Sequence, residues 1–122
     1  MVVYPTRAGL TMVAMQPVDR TLSALADATR RAVVDSLRER PLRAGELASA
    51  LALDPATLSR HLRILRQAGL VIDSHPDHDA RVRLYRLRPE AFATLRDWLG
   101  EVESFWAAQL QAFADHVGGD AP

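Results

Sequence analysis

The sequence predicts a mainly α-helical domain with one small β-hairpin, in the order α-α-α-α-β-β-α. Three observations carry that prediction. Apolar residues recur at helical spacing in short capped segments between residues 17 and 69. The pattern then switches to strand-like runs on either side of a turn cluster. A seam of large apolar residues at alternating threes and fours closes the chain. At 122 residues the chain fits one domain with one core, comfortable when some surface is shared with a partner.

Residues 1–16 have no clear period. They hold Pro5, Gly9, Met12 and Met15, which suits a loose arm or a start assigned too early; the alternative is an ordered extension that packs Val2, Val3, Tyr4, Leu10 and Val13 on a partner subunit. The domain is expected over residues 17–117, with 118–122 as a tail. Pro17 admits a short first helix with Leu22, Leu25 and Ala26 as its apolar face. Asp27 caps a second, amphipathic through Ala28, Ala32, Val33 and Leu37 and ended by Arg40 and Pro41. A third, GELASAL (45–51), turns Leu47, Ala48 and Leu51 to the core.

Only Ala52 and Leu53 separate it from DPATLSRHLRILRQAGL (54–70). This stretch opens with Asp54 as N-cap and Pro55 at the first helical position, and Gly69 supplies the stop. Leu58, Leu62 and Leu65 fall at i, i+4 and i+7 on one stripe, leaving Thr57, Ser59, Arg60 and Arg63 elsewhere. Alone it reads as an ordinary amphipathic helix. Two short helices joined by so tight a turn, the second with small hydroxyls and arginine exposed near its start, form a helix-turn-helix layout suited to a DNA major groove.

Leu70, Val71 and Ile72 then read as a strand, SHPDHDA as a loop, and RVRLYRL (81–87) as a second strand. Arg81 and Arg83, two apart, are expected on one strand face. A basic hairpin after a reading helix is a wing that lies along phosphates or enters the minor groove. Arg88 and Pro89 open the last helix, whose Phe92, Leu95, Leu99, Val102, Trp106, Leu110, Phe113 and Val117 form a heptad-like seam. Trp98 and Phe105 widen it beyond what one small domain covers, which points to a dimer interface.

Composition excludes several functions. With no cysteine in the chain, disulfides, thiolate metal sites and thiol redox chemistry are ruled out. No apolar run approaches a membrane span and no signal peptide is recognisable, so no membrane partner and a cytoplasmic location are expected. The net charge is zero, but residues 27–88 hold 12 Arg against 8 acids (+4) and residues 89–122 hold 1 Arg against 6 acids (−5). A basic centre and an acidic tail fit nucleic-acid binding in the middle. All 15 basic residues are arginine, which reflects phosphate binding or, by preference, base composition. Ser59 and His61 point in different directions, and no phosphate loop or dinucleotide fingerprint is present, so no catalysis is expected. His75, Asp77, His78 and Asp79 are read as turn residues rather than ligands; no metal and no cofactor are expected.

LADATRRAVVDSL (25–37), GELASAL (45–51), LDPATLSRHLRILRQAGLV (53–71) and RVRLYRLRPE (81–90) jointly resemble the arsenical-resistance-repressor (ArsR) family of winged-helix regulators. The resemblance implies a homodimer paired through its first and last helices, a reading helix over 54–68, and repression of its own operon relieved by an inducer. It places DNA contacts on Pro55, Ala56, Thr57, Ser59 and Arg60, with Arg81 and Arg83 in the wing. This chain departs where the family carries metal: the thiolate helix has Leu47, Ala48, Ser49 and Ala50, and the final helix lacks the paired His and carboxylate ligands of the zinc site. Arg43 stands where many members have Ser or Thr; it has no acceptor for an N-cap but reaches for a phosphate.

The expected DNA contacts are therefore Arg43, Pro55, Ala56, Thr57, Ser59, Arg60, His61, Arg63, Arg81 and Arg83, His61 serving equally well as a half-buried packing residue. The expected dimer interface is Leu22, Leu25, Phe92, Leu95, Trp98, Leu99, Val102, Phe105, Trp106, Leu110 and Phe113. The function read from these residues is an autoregulatory repressor binding palindromic double-stranded DNA as a homodimer. Its rival is a protein-interaction module without DNA binding, against which the basic centre counts. A small apolar inducer near Trp98, Phe105 and Trp106 is a further expected partner.

Overall fold

The starts of the first four helices each carry a device that satisfies free backbone N–H groups. The computed structural model describes residues 16–76 and 81–119; the expected arm up to residue 15, the tail end 120–122, and Asp77, His78 and Asp79 lie outside the described residues. Helix α1, Pro17–Leu25, has proline at its first position, and the Gln16 N–H donates to Asp19 Oδ2 at 2.7 Å. Helix α2, Ala28–Leu37, is capped by Asp27, whose Oδ1 accepts from the Arg30 N–H at 3.0 Å. Arg30 and Arg31 reach back to the end of α1, donating to the Ala24 and Leu25 carbonyls at 2.6 Å each. Carbonyls left open at that helix end are thus satisfied by cations, which also suit the negative end of the helix dipole.

The buried side of α1 differs from the sequence expectation. Val18, Thr21 and Ala24 are buried, while Leu22 is 38% exposed and Ala26 is exposed. Burial of Thr21 is tolerated because its hydroxyl donates to the Pro17 carbonyl at 3.2 Å, so no polar group is left unpaired.

A two-residue strand, β1 (Leu42–Arg43), leads into α3, Ala44–Leu51. Arg43 does occupy the N-cap position of α3; the contribution comes from Glu46, whose Oε1 accepts from the Arg43 N–H at 2.9 Å. The turn out of α3 puts Ala52 in the left-handed region, φ 53°, and the Leu53 N–H bonds back to the Ala48 carbonyl at 3.0 Å, which closes the helix end. Helix α4, Pro55–Gln67, follows with Asp54 as N-cap. Gly69, φ 77°, ends it, with Leu70 N–H on the Leu65 carbonyl at 3.0 Å.

Strands β2 (Val71–Ser74) and β3 (Leu84–Leu87) form the hairpin, with Val71 opposite Leu87 and Asp73 opposite Tyr85. Two details differ from expectation. The sheet has three strands in the order β1-β3-β2, because Leu42 pairs with Tyr85. The second strand starts at Leu84, so Arg81 and Arg83 precede it and do not share a strand face. Only the half of RVRLYRL that faces β1 and β2 finds ladder partners. The core beneath these elements holds Val33, Leu47, Leu58, Leu65, Leu70 and Val71, all fully buried, each worth about 1.5–3 kcal/mol against exposure. Helix α5, Pro89–Gly119, has 31 residues, about 46 Å at the α-helical rise. It packs on α1 through its first turns only.

Candidate nucleic-acid interface

Because Leu58, Leu62 and Leu65 are buried, α4 must present its opposite side outward. Pro55, Ala56, Ser59, Arg60 and Arg63 are all exposed. Arg60 and Arg63 have no hydrogen-bond or ion-pair partner among the described residues. Small side chains beside free guanidiniums let a helix approach base edges closely. Thr57 is placed differently. Its hydroxyl donates to Asp54 Oδ1 at 2.6 Å and its N–H to Oδ2 at 3.1 Å, so that side chain secures the helix start. His61 is half-buried, and its Nδ1 is buried without a partner, which turns that nitrogen away from any phosphate.

Three acids of the basic centre, Asp27, Glu46 and Asp54, are engaged in capping. Hydrogen bonds from the Thr57 hydroxyl, then from the Thr57 N–H, hold the Asp54 carboxyl below its usual range. The Arg30 N–H does the same for Asp27, and the Arg43 N–H for Glu46. Glu46 also meets Arg40 at 3.4 Å. Carboxylates committed to helix starts leave Arg60 and Arg63 of the α4 face without an acidic partner among the described residues.

Sequence reasoning missed one constellation beside this face. Asp73 on β2 takes Arg66 Nε on Oδ1 at 3.4 Å and Arg83 Nε on Oδ2 at 3.3 Å. Arg83 also lies 3.5 Å from the Tyr85 hydroxyl. A groove of about 570 Å³, lined by Arg63, Arg66, Gln67, Val71, Ile72 and Asp73, separates α4 from the wing. Beyond the ladder of β2 and β3, His75 Nδ1 bonds the Val82 carbonyl at 2.8 Å. Arg43 and Arg81 are exposed. The only sequence signal for the bridge was an acid in a basic hairpin, which carries no distance information.

The expected dimer residues divide in two. Leu25 and Phe92 pack against the core, and Leu95 is half-buried. Leu22, Trp98, Leu99, Val102, Phe105, Trp106, Leu110 and Phe113 are exposed, Trp106 at 58% and Phe113 at 67%. Phe105 and Trp106 stack edge to face, with ring centroids 5.7 Å apart. Among the described residues no helix is long and apolar enough to cross a membrane.

Comparison with known proteins agrees with this geometry. The sequence is 39% identical over 102 residues to the HTH-type transcriptional regulator Rv2034 of Mycobacterium tuberculosis, spanning 84% of this chain and 90% of that protein. It is 32% identical over 56 residues to the transcriptional repressor SdpR of Bacillus subtilis, 46% of this chain and 62% of the repressor. The crystal structure of an ArsR family transcriptional regulator superposes with a TM-score of 0.67 at 28% identity, covering 75% of this chain and 98% of that one. The family described as bacterial regulatory protein, arsR family, matches residues 27–73, from the cap of α2 into β2. With this match and a relative covered over nine tenths of its length, the chain belongs to the ArsR family of bacterial transcriptional regulators.

Proposed function

We propose that this DNA-binding transcriptional regulator is an autoregulatory repressor that reads an imperfect palindrome as a homodimer. The observation that carries the reading is the outward face of α4, where Arg60 and Arg63 are exposed and unpartnered among the described residues. In this reading Pro55, Ala56, Ser59 and Arg60 approach base edges, Arg43 and Arg63 meet phosphates, and Arg81 and Arg83 run along the backbone from the wing. Residues 17–117 act as one DNA-binding and dimerising domain.

The uncovered face of α5 supports pairing with a second copy. A 31-residue helix whose Phe105, Trp106, Leu110 and Phe113 are exposed presents a row of large apolar side chains of the kind that marks an interaction surface. An isologous interface places two α4 helices on one face of the dimer, facing half-sites about one helical turn apart or a small multiple of it. An inducer acts by preferring a dimer in which those helices are mis-spaced, since only differential affinity shifts the equilibrium.

The test is a gel-shift titration of the full chain against the DNA upstream of its own coding sequence and against scrambled duplex, repeated at several salt concentrations. A salt-dependent shift that prefers the upstream DNA supports the reading. Equal binding to both removes sequence-specific recognition, and no binding removes DNA as the partner.

A further inference from the structure

We infer that Asp73 is a specificity-determining residue: one carboxylate that restrains the two phosphate-seeking arginines Arg66 and Arg83 and ties the wing to the end of α4. The inference rests on the reading of α4 and the wing as the DNA-facing surface. The geometry is that of a bridge. Oδ1 meets Arg66 from the last turn of α4 and Oδ2 meets Arg83 from the wing, at 3.4 and 3.3 Å. The register explains why one acid reaches both. Asp73 pairs across the hairpin with Tyr85, and Arg83, two residues before Tyr85, crosses to the same carboxylate while its Nη1 lies 3.5 Å from the tyrosine hydroxyl.

A single negative charge between two guanidiniums does two things. It offsets cations that any phosphate would otherwise recruit, and its own charge at the edge of the α4–wing groove repels the DNA backbone. Binding to random duplex needs only free cations, because phosphates lie everywhere along it. Binding to an operator needs the wing and α4 in one fixed relation, which the bridge supplies before DNA arrives. Loss of Asp73 therefore strengthens random binding more than operator binding, and the ratio between them falls. By contrast Arg60 and Arg63 carry no such restraint among the described residues.

The test compares wild type, Asp73→Asn, Asp73→Ala and the double variant Asp73→Asn with Arg83→Ala. Fluorescence anisotropy on labelled upstream and scrambled duplexes, across a salt series, gives affinities and salt slopes. Both single variants are expected to steepen the slope on scrambled DNA by about one to two units, at ~0.9 per added phosphate contact. They should also lower the preference for upstream DNA about tenfold, and the double variant should lose about one unit of the added slope. Retained cooperative unfolding by circular dichroism shows that the variants fold. Slopes and preference equal to wild type overturn the inference. So does weaker binding to both duplexes with a shallower slope, because Asp73 would then only hold the wing in shape. A wild-type chain that binds neither duplex overturns the DNA reading itself, an outcome distinct from both.

Discussion

Two leucine-rich stripes of this molecule follow the same spacing and meet opposite fates. On α4, Leu58, Leu62 and Leu65 are no more than 3% exposed. On α5, Leu99, Trp106, Leu110 and Phe113 stand between 49% and 67% exposed. The periodicity is helical in both. The difference lies in what faces the stripe: α2, α3 and the sheet cover α4, whereas the outer turns of α5 are exposed among the described residues. A stripe is a core when its own domain supplies the other side, and an interface when a second molecule must. The face of α4 away from its stripe carries the exposed Ser59, Arg60 and Arg63, so the same helix that anchors the body also carries the proposed reading surface.

The largest effect that sharpens this comparison is expected in the body. Leu65→Ala removes a fully buried side chain and should cost about 2–5 kcal/mol in urea unfolding, with DNA binding lost alongside. A loss below about 1 kcal/mol would mean that the α4 stripe is not core. Next is α5. Trp106→Ala should weaken dimerisation by about 2–4 kcal/mol, read as a concentration-dependent shift to monomer in sedimentation, while the stability of the monomeric body is unchanged. An unaltered dimer, or a collapse of the body, breaks the distinction between the stripes.

Smaller effects belong to the reading face. Arg60→Ala should reduce discrimination between upstream and scrambled duplex by about 1–3 kcal/mol with the dimer intact; unchanged discrimination in the gel shift removes Arg60 from base contact. The smallest effect is pH dependence at the start of α4. Asp54 titrates below its ordinary range because Thr57 bonds its charged form. Its stabilising contribution is complete above the ordinary carboxylate pKa and is lost as pH falls through the lower folded value. Asp54→Asn keeps the cap without the charge, so its melting temperature should fall less than that of wild type between pH 6 and pH 3. Parallel melting curves contradict the assignment.

Most helices were legible because their signals are local. Asp27, Asp54 with Pro55, and Gly69 mark ends by backbone chemistry within a few residues. The outward face of α4 followed from the leucine stripe alone. What escaped depends on distant partners. The strand Leu42–Arg43 is too short to show alternation and exists only because Tyr85 lies beside Leu42. RVRLYRL alternates from its first residue, yet the ladder begins at Leu84. Thr21 rather than Leu22 faces the core, since a hydroxyl bonded to its own helix is cheap to bury. The Arg66–Asp73–Arg83 bridge appears only once the hairpin register places Asp73 opposite Tyr85.

In the proposed function α5 pairs two copies so that two α4 helices read one palindrome. Native mass spectrometry of the full chain with its upstream DNA, and with a duplex carrying only one half of the protected site, tests it directly. Two chains are expected on the intact site, with a mass step of two and no populated one-chain complex, and markedly weaker binding to the half-site. One chain per intact site, or equal affinity for the half-site, would contradict it.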